Sequence, residues 1–151
     1  MKFPIGIQQF EKLREEDWVY VDKTMHIYNL VQGGTCYFLS RPRRFGKSML
    51  LSTLEAYFQG KKHLFKGLAI EQLETEWAEH AVLHLDLNAE KYTAPEDLTN
   101  ILDTYLREWE EKYESTEKEN PSLSQRFRSV IRAAKQKTGR NVVVLVDEYD
   151  K

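Results

Sequence analysis

Apolar positions along the chain change their period several times, and each change predicts a different element. Leu50, Leu51, Leu54, Tyr57 and Phe58 recur at helical spacing, and Gly60 stands where a left-handed C-terminal cap is expected. One helix is therefore predicted to begin at Gly46-Lys47-Ser48. The short apolar run from Thr35 to Leu39 predicts a core strand just before it, and the run from Ala81 to Leu87 a second, with Asp86 near its end. Leu98, Ile101, Leu102, Tyr105, Leu106, Trp109 and Tyr113 lie on one face of a long helix. Its start is expected at Thr93-Ala94-Pro95-Glu96, where Thr93 and Glu96 have capping-box spacing and Pro95 suits an early helical position. Pro121 opens a further helix with Leu123, Phe127, Val130, Ile131 and Ala134 on one face, closed by Gly139. The largely β-branched run from Asn141 to Val146 suits a strand covered on both faces.

The first part of the chain is more broken. A loop, a short helix around Phe10 and Leu13, and an extended piece around Trp18-Val19-Tyr20-Val21 are expected before a helix capped by Asp22 or Thr24. Ile27, Leu30 and Val31 share a face of that helix, and Gly33-Gly34 stops it. After the basic, turn-like stretch from Lys61 to Ala69, the spacing of Ile70, Leu73 and Trp77 predicts another short helix, with Trp77 and Trp109 as core anchors of their helices. Strands alternating with helices predict an α/β sandwich with a mostly parallel sheet.

Composition narrows this picture without redirecting it. The chain has 151 residues, about one domain by length, and its single Cys36 can form no internal disulfide. No Cys/His pair has metal-ligand spacing, and the four histidines are scattered. No apolar run reaches the roughly 18 residues of a membrane helix, and Met1-Lys2-Phe3-Pro4 lacks a signal-peptide core, so a cytoplasmic protein without a membrane partner is expected. A formal net charge of −2 provides no global attraction to polyanions. Anion binding must come from local clusters such as Arg41, Arg43, Arg44 and Lys47.

Two motifs carry chemistry. Gly46-Lys47-Ser48 matches the second half of the phosphate loop G-x-x-x-x-G-K-[ST], while Arg41 occupies the first glycine position and Pro42 removes one N–H. In the functional reading Lys47 neutralises the outer phosphates, the Ser48 hydroxyl ligates magnesium, and the N–H groups from Phe45 through Gly46 to Met49 hold phosphate oxygens. Arg43 and Arg44 add charge that the missing donors do not supply. The bland alternative is a helix start with a basic, solvated turn. The second motif, Val142 to Glu148, ends an apolar strand in two acids. Asp147 suits a magnesium shell and Glu148 the activation of an attacking water; alone, such acids are commonly solvated loop residues. Asp86 is a lesser candidate that equally fits a turn cap, and His84 reads as a surface or satisfied core histidine.

These pieces resemble the bacterial AAA-ATPase-like family, whose members often carry a PD-(D/E)XK nuclease-like domain. The resemblance rests on Phe3-Pro4-Ile5-Gly6 with Phe10, on Tyr20-Val21-Asp22-Lys23-Thr24, and on Phe38 to Ser48 with its Arg-Pro-Arg-Arg-Phe-Gly-Lys-Ser string. It extends to Lys61 to Leu68, His84-Leu85-Asp86 and Val144 to Lys151. It implies a P-loop NTPase-like three-layer sandwich that binds ATP and Mg2+, with Lys47 and Ser48 as the Walker A end and Asp147-Glu148 as the Walker B pair. It also implies that the absent first glycine is a family trait, and that Pro4 to Gly6 lies near the adenine.

The chain ends three residues after Glu148, whereas the additional-strand class of such ATPases places a central strand later in sequence. An N-terminal fragment is therefore expected, with residues 1–34 as a lead-in, residues 35–151 as a partial nucleotide-binding core, an incomplete sheet, and hydrolysis confined to the full-length context. Two rival readings stand beside nucleotide binding. One is a nucleic-acid module using Arg41, Arg43, Arg44 and Lys47. The other is a non-catalytic interaction or regulatory domain, either a degenerate nucleotide binder or one whose unpaired strands pair with a partner or another copy.

Overall fold

A computed structural model of the chain describes residues 3, 9–33, 47–87, 94–115 and 121–147, with Lys47 described by its backbone alone. The chain divides between Glu79 and His80 into two compact units.

The first unit is helical among its described residues: α1 (Phe10–Glu15), α2 (Thr24–Gly33), α3 (Lys47–Phe58), a 3-10 turn (Lys62–Phe65) and α4 (Ala69–Leu73). Its core forms because aromatic and aliphatic side chains from short elements converge. Phe10, Leu13, Ile27, Leu64, Phe65 and Ile70 are buried, and the Phe10 ring sits 4.9 Å from Phe65 and 5.1 Å from Tyr20, the latter edge to face. α1 packs on α3, and α2 packs on α4. Arg14 ties α1 to the 3-10 turn by donating to the carbonyls of Leu64 (2.8 Å) and Lys66 (2.6 Å).

Backbone donors at the start of α4 are met from a distant part of the chain. The Asp22 carboxylate accepts the Thr24 N–H and hydroxyl through Oδ1 (2.9 and 2.6 Å) and the Ala69 N–H through Oδ2 (2.8 Å). The Thr24 hydroxyl oxygen in turn accepts the Ile70 N–H at 3.1 Å. Asp22 thus serves the start of α2, as its sequence position predicts, and also caps α4 across 47 residues.

α3 ends as its glycine predicts. Gly60 has φ +71°, its N–H reaches the Tyr57 carbonyl and that of Lys61 reaches Ala56, the paired bonds of a Schellman stop. A Cβ at Gly60 would lie 2.8 Å from the Trp77 carbonyl oxygen, so the residue is also required by close packing. The predicted helix through Trp77 stops earlier, because α4 ends at Leu73. Glu74 diverts the chain there: its Oε1 accepts the N–H groups of Thr75 and Glu76, and its Oε2 accepts the Tyr57 hydroxyl. Trp77, at φ +46°, then packs edge-on to Tyr57 and tilted against Phe65 from irregular backbone rather than from a helix.

The second unit is a β-α-α-β arrangement: β1 (Val82–Asp86), α5 (Pro95–Tyr113), α6 (Leu123–Thr138) and β2 (Val143–Asp147). The two strands are adjacent and parallel, in register from Val82 opposite Val143 to Asp86 opposite Asp147. Alternate residues Ala81, Leu83, Leu85 and Leu87 face Leu106, Trp109 and Tyr113 of α5 and Val130 and Ala134 of α6. Val144 and Val146 share the face of Leu83 and Leu85 by register, yet they are 39% and 46% exposed. The expectation of a strand covered on both faces is corrected here, because the buried cluster of α5 and α6 is built on the alternate residues of β1.

The start of α5 also shifts from its predicted position. Pro95 is the first helical residue, so Ala94 is the cap residue; Asp97 Oδ2 accepts the Ala94 N–H (3.2 Å) and the Asp97 N–H reaches the Ala94 carbonyl (3.1 Å). Asp97, not Glu96, is the acid that closes the turn. α6 likewise opens on a reciprocal Ser122–Gln125 capping box, just after Pro121, and closes at Gly139 with φ +71°. Arg126 joins the two helices through Asp103 (2.6 Å) and Glu110 (2.5 Å). The first predicted core strand, from Thr35 to Leu39, lies outside the described residues, so a small two-stranded parallel sheet with helices on one face is what the described fold provides of the expected sandwich.

Two predictions follow from the Asp22–Thr24 node. Thr24→Val keeps the shape but leaves the buried Ile70 N–H unpaired, which is expected to cost about 1–3 kcal/mol in urea unfolding, with Thr24→Ser retaining more stability. Burial alone would raise the Asp22 pKa, but the hydrogen bonds from Thr24 and Ala69 outweigh it and hold the carboxyl below its ordinary range. A depressed folded value stabilises the fold above the unfolded pKa of about 3.9 and is lost as pH falls through the folded one. Stability should therefore fall in acid below about pH 4, and Asp22→Asn should flatten that slope; an unchanged slope would refute the assignment.

Candidate functional site

Lys47, Ser48 and Met49, three of the candidate phosphate-loop residues, fall at a helix start, as their sequence context predicts. α3 begins at Lys47, so Lys47, Ser48 and Met49 form its first turn, where N–H groups lack intrahelical partners and the positive end of the helix dipole lies. Ser48 and Met49 are half-buried. Arg43, Arg44, Phe45 and Gly46, predicted to complete the cradle, lie outside the described residues, as does Glu148.

Two hydroxyls that the motif does not include hold this turn in place. Ser52 and Thr53 both donate to the Met49 carbonyl, at 2.9 and 2.7 Å, and Thr53 is buried. The Ser52 oxygen also accepts the N–H of Phe10 at 2.9 Å, which caps the first residue of α1. Burial raises the pKa of Tyr20, against the opposing effect of its hydrogen bond with Thr53, so a further aromatic side chain abuts the same helix. The first residue of α1 is thereby anchored one helical turn beyond Ser48. The sequence signal was only a pair of hydroxyl residues inside a helix, which ordinarily reads as back-bonding to the preceding turn.

The acidic end belongs to the second unit. Asp147 closes β2 and is 5% exposed; its carbonyl accepts the Leu87 N–H at 2.8 Å, which extends the ladder one step past Asp86. Register places Asp86 level with Asp147 at the C-terminal ends of two parallel strands, the edge at which open α/β sheets bind ligands. The Tyr105 hydroxyl, on α5, donates to the Asp86 carbonyl (3.2 Å) and lies 3.3 Å from its N–H. Asp86 is thus part of the same strand-end geometry as Asp147. His84 is half-buried, opposite Leu145. Among the described residues no three His, Cys, Asp or Glu side chains are grouped to hold a metal by themselves.

The family model for predicted AAA-ATPases matches residues 4–151. The chain belongs to the predicted AAA-ATPase-like family. This membership supports a general ATPase-like, nucleotide-binding domain. The chain is also 44% identical to an uncharacterized protein in the vnfD 5′ region of Azotobacter chroococcum mcd 1, over 99% of this chain and 29% of that protein. This AAA-ATPase-like chain therefore spans under a third of that relative's length. No solved structure matches it. No described helix is long and apolar enough to cross a membrane.

Ser52→Ala is expected to leave the buried Phe10 N–H unpaired and free one side of the Met49 carbonyl, lowering stability by about 1–3 kcal/mol in denaturant titration. Stability equal to that of the unsubstituted chain would show that the bridge between α1 and α3 carries no weight.

Proposed function

We propose that the chain is the ATP-binding P-loop portion of an AAA-like ATPase, with the phosphates seated at the start of α3. The observation that carries this reading is the position of Lys47-Ser48, which follow Gly46 in sequence, at the opening of a 12-residue helix in a chain of this family. Lys47 neutralises the outer phosphates, N–H groups from Phe45 to Met49 bind their oxygens, and Arg43 and Arg44 supply charge in a loop whose first glycine is Arg41.

The donor chemistry suits magnesium. Ser48 and Asp147 offer a hydroxyl and a carboxylate, both hard oxygens, and magnesium commonly takes one or two protein oxygens and completes its octahedron with phosphate oxygens and water. When bound, the ion neutralises charge on the phosphates. Glu148, next to Asp147 in sequence, orients and deprotonates the water that attacks the γ-phosphate, with ADP as the leaving group.

Titration calorimetry with ATP and magnesium tests the reading. Wild type should bind, and Lys47→Ala should weaken binding by about tenfold or more, since a charge-assisted phosphate contact is removed. Equal affinities for the two proteins would remove Lys47 from the site.

A further inference from the structure

One surface is left unused by the nucleotide reading. From Ser122 to Arg140 the chain carries Arg126, Arg128, Arg132, Lys135, Lys137 and Arg140 and no acidic residue, although the whole protein has more acids (24) than lysines and arginines (22). The adjoining α5 has the opposite bias, with Glu96, Asp97, Asp103, Glu108, Glu110 and Glu111 against Arg107 and Lys112. Charge is therefore sorted between two packed helices rather than mixed.

The six cations do not have equivalent roles. Arg126 is engaged with Asp103 and Glu110, and Lys137 donates to the Lys112 carbonyl. Arg128, Arg132 and Lys135 are exposed and make no ion pair or hydrogen bond among the described residues. Their spacing of four and three residues places them within roughly 60° of one another on the helix, with rises of about 6 and 4.5 Å. Val130 and Ala134, fully buried against β1 and α5, fix the opposite side of α6 inward. The three cations thus form an outward row, staggered over roughly 60°, on a helix whose rotation the core sets.

We propose that this outer face of α6 binds the sugar-phosphate backbone of double-stranded nucleic acid. Two arginines in the row present planar forks suited to phosphate oxygens. A row of cations about 10 Å long matches a polymer carrying a phosphate every few ångströms. The neighbouring exposed positions, Ser124, Gln125 and Gln136, are polar donors, with no aromatic or aliphatic side chain among them. A protein partner would want an apolar centre to its interface, and single strands would want aromatic stacking platforms. A membrane surface would want an apolar helix face, which α6 has already buried in the core. Phosphate contacts need none of these, and they bring sequence-independent binding.

Fluorescence anisotropy of a labelled random-sequence duplex, titrated with the whole chain from 50 to 200 mM salt, tests the proposal. Wild type is expected to bind with a dissociation constant on the order of 10⁻⁴–10⁻⁶ M. Arg128→Gln/Arg132→Gln/Lys135→Gln should weaken binding by on the order of tenfold or more at low salt and reduce the slope of log affinity against log salt by about 2 to 3. Lys12→Gln/Lys62→Gln/Lys66→Gln, which removes the same charge from exposed positions in the first unit, should bind like wild type. Arg132→Gln alone, with an expected slope change of about 0.9, keeps the test usable if the triple variant folds poorly. The proposal is overturned if wild type fails to bind at 50 mM salt, if the α6 triple binds unchanged, or if the control loses as much. Capture by phosphatidylserine vesicles without duplex binding would assign the row to membranes instead. A salt-sensitive dimer that the α6 triple abolishes, again without duplex binding, would assign it to the acidic α5 of a second copy.

Discussion

Every helix leaves its first N–H groups without partners inside the helix, and meeting those donors is the constraint on which this structure depends. In the second unit the acceptors are local: Asp97 for α5, Ser122 with Gln125 for α6. In the first unit they come from far away in sequence, with Ser52 capping α1 and Asp22 and Thr24 capping α4. Short helices such as α1 and α4 would be marginal in isolation, and these long-range caps bind them to α3 and α2 respectively. The carboxylate at α4 and the phosphate proposed for α3 answer the same need with the same charge.

This division explains what was legible in the sequence. α5 and α6 could be read almost to their ends because apolar residues repeat over many turns and the core they face is one continuous cluster. The start of α5 was misplaced by one residue because Thr93/Glu96 and Ala94/Asp97 offer the same spacing, and the ring of Pro95 selects the second. Trp77 was misread because its helical spacing from Ile70 and Leu73 is real, but the Glu74 carboxylate captures the next N–H groups and turns the chain away. The dual role of Asp22 could not be read at all, since nothing local relates it to Ala69. Of the candidate site, the helix start at Lys47 and the strand end at Asp147 were legible as motifs. The Ser52 bridge was not, because its partner Phe10 lies 42 residues earlier.

Register gives the acidic strand end its precision. Leu83 and Leu85 must face α5 and α6, and a slip of one residue would send them to the opposite face, so β1 is pinned by its core. The ladder from Ala81–Val143 to Leu87–Asp147 then fixes β2 against it. Asp147 is held level with Asp86 as a result of hydrophobic packing some residues away, and Tyr105 reinforces the position of Asp86 from α5. At 5% exposure Asp147 is a buried strand end and not a solvated loop residue.

The same core that pins β1 also settles which cations of α6 face outward. Arg126 lies on the flank that meets α5, where two carboxylates receive it, and its hydrogen bonds to Glu110 and Asp103 push its pKa still higher. Arg132 lies almost diametrically opposite Val130 and Ala134, with Arg128 and Lys135 about 40° and 60° from it around the same flank. Cations near a helix C-terminus are favoured by the dipole, which accounts for Lys135 and Lys137 but not for Arg128 and Arg132 in the middle of α6. Three like charges within one stripe repel each other at every ionic strength below full screening, and among the described residues no acid pairs with them. A fold selected only for stability would relieve that repulsion with a single glutamate in the stripe; a surface that meets a polyanion would not.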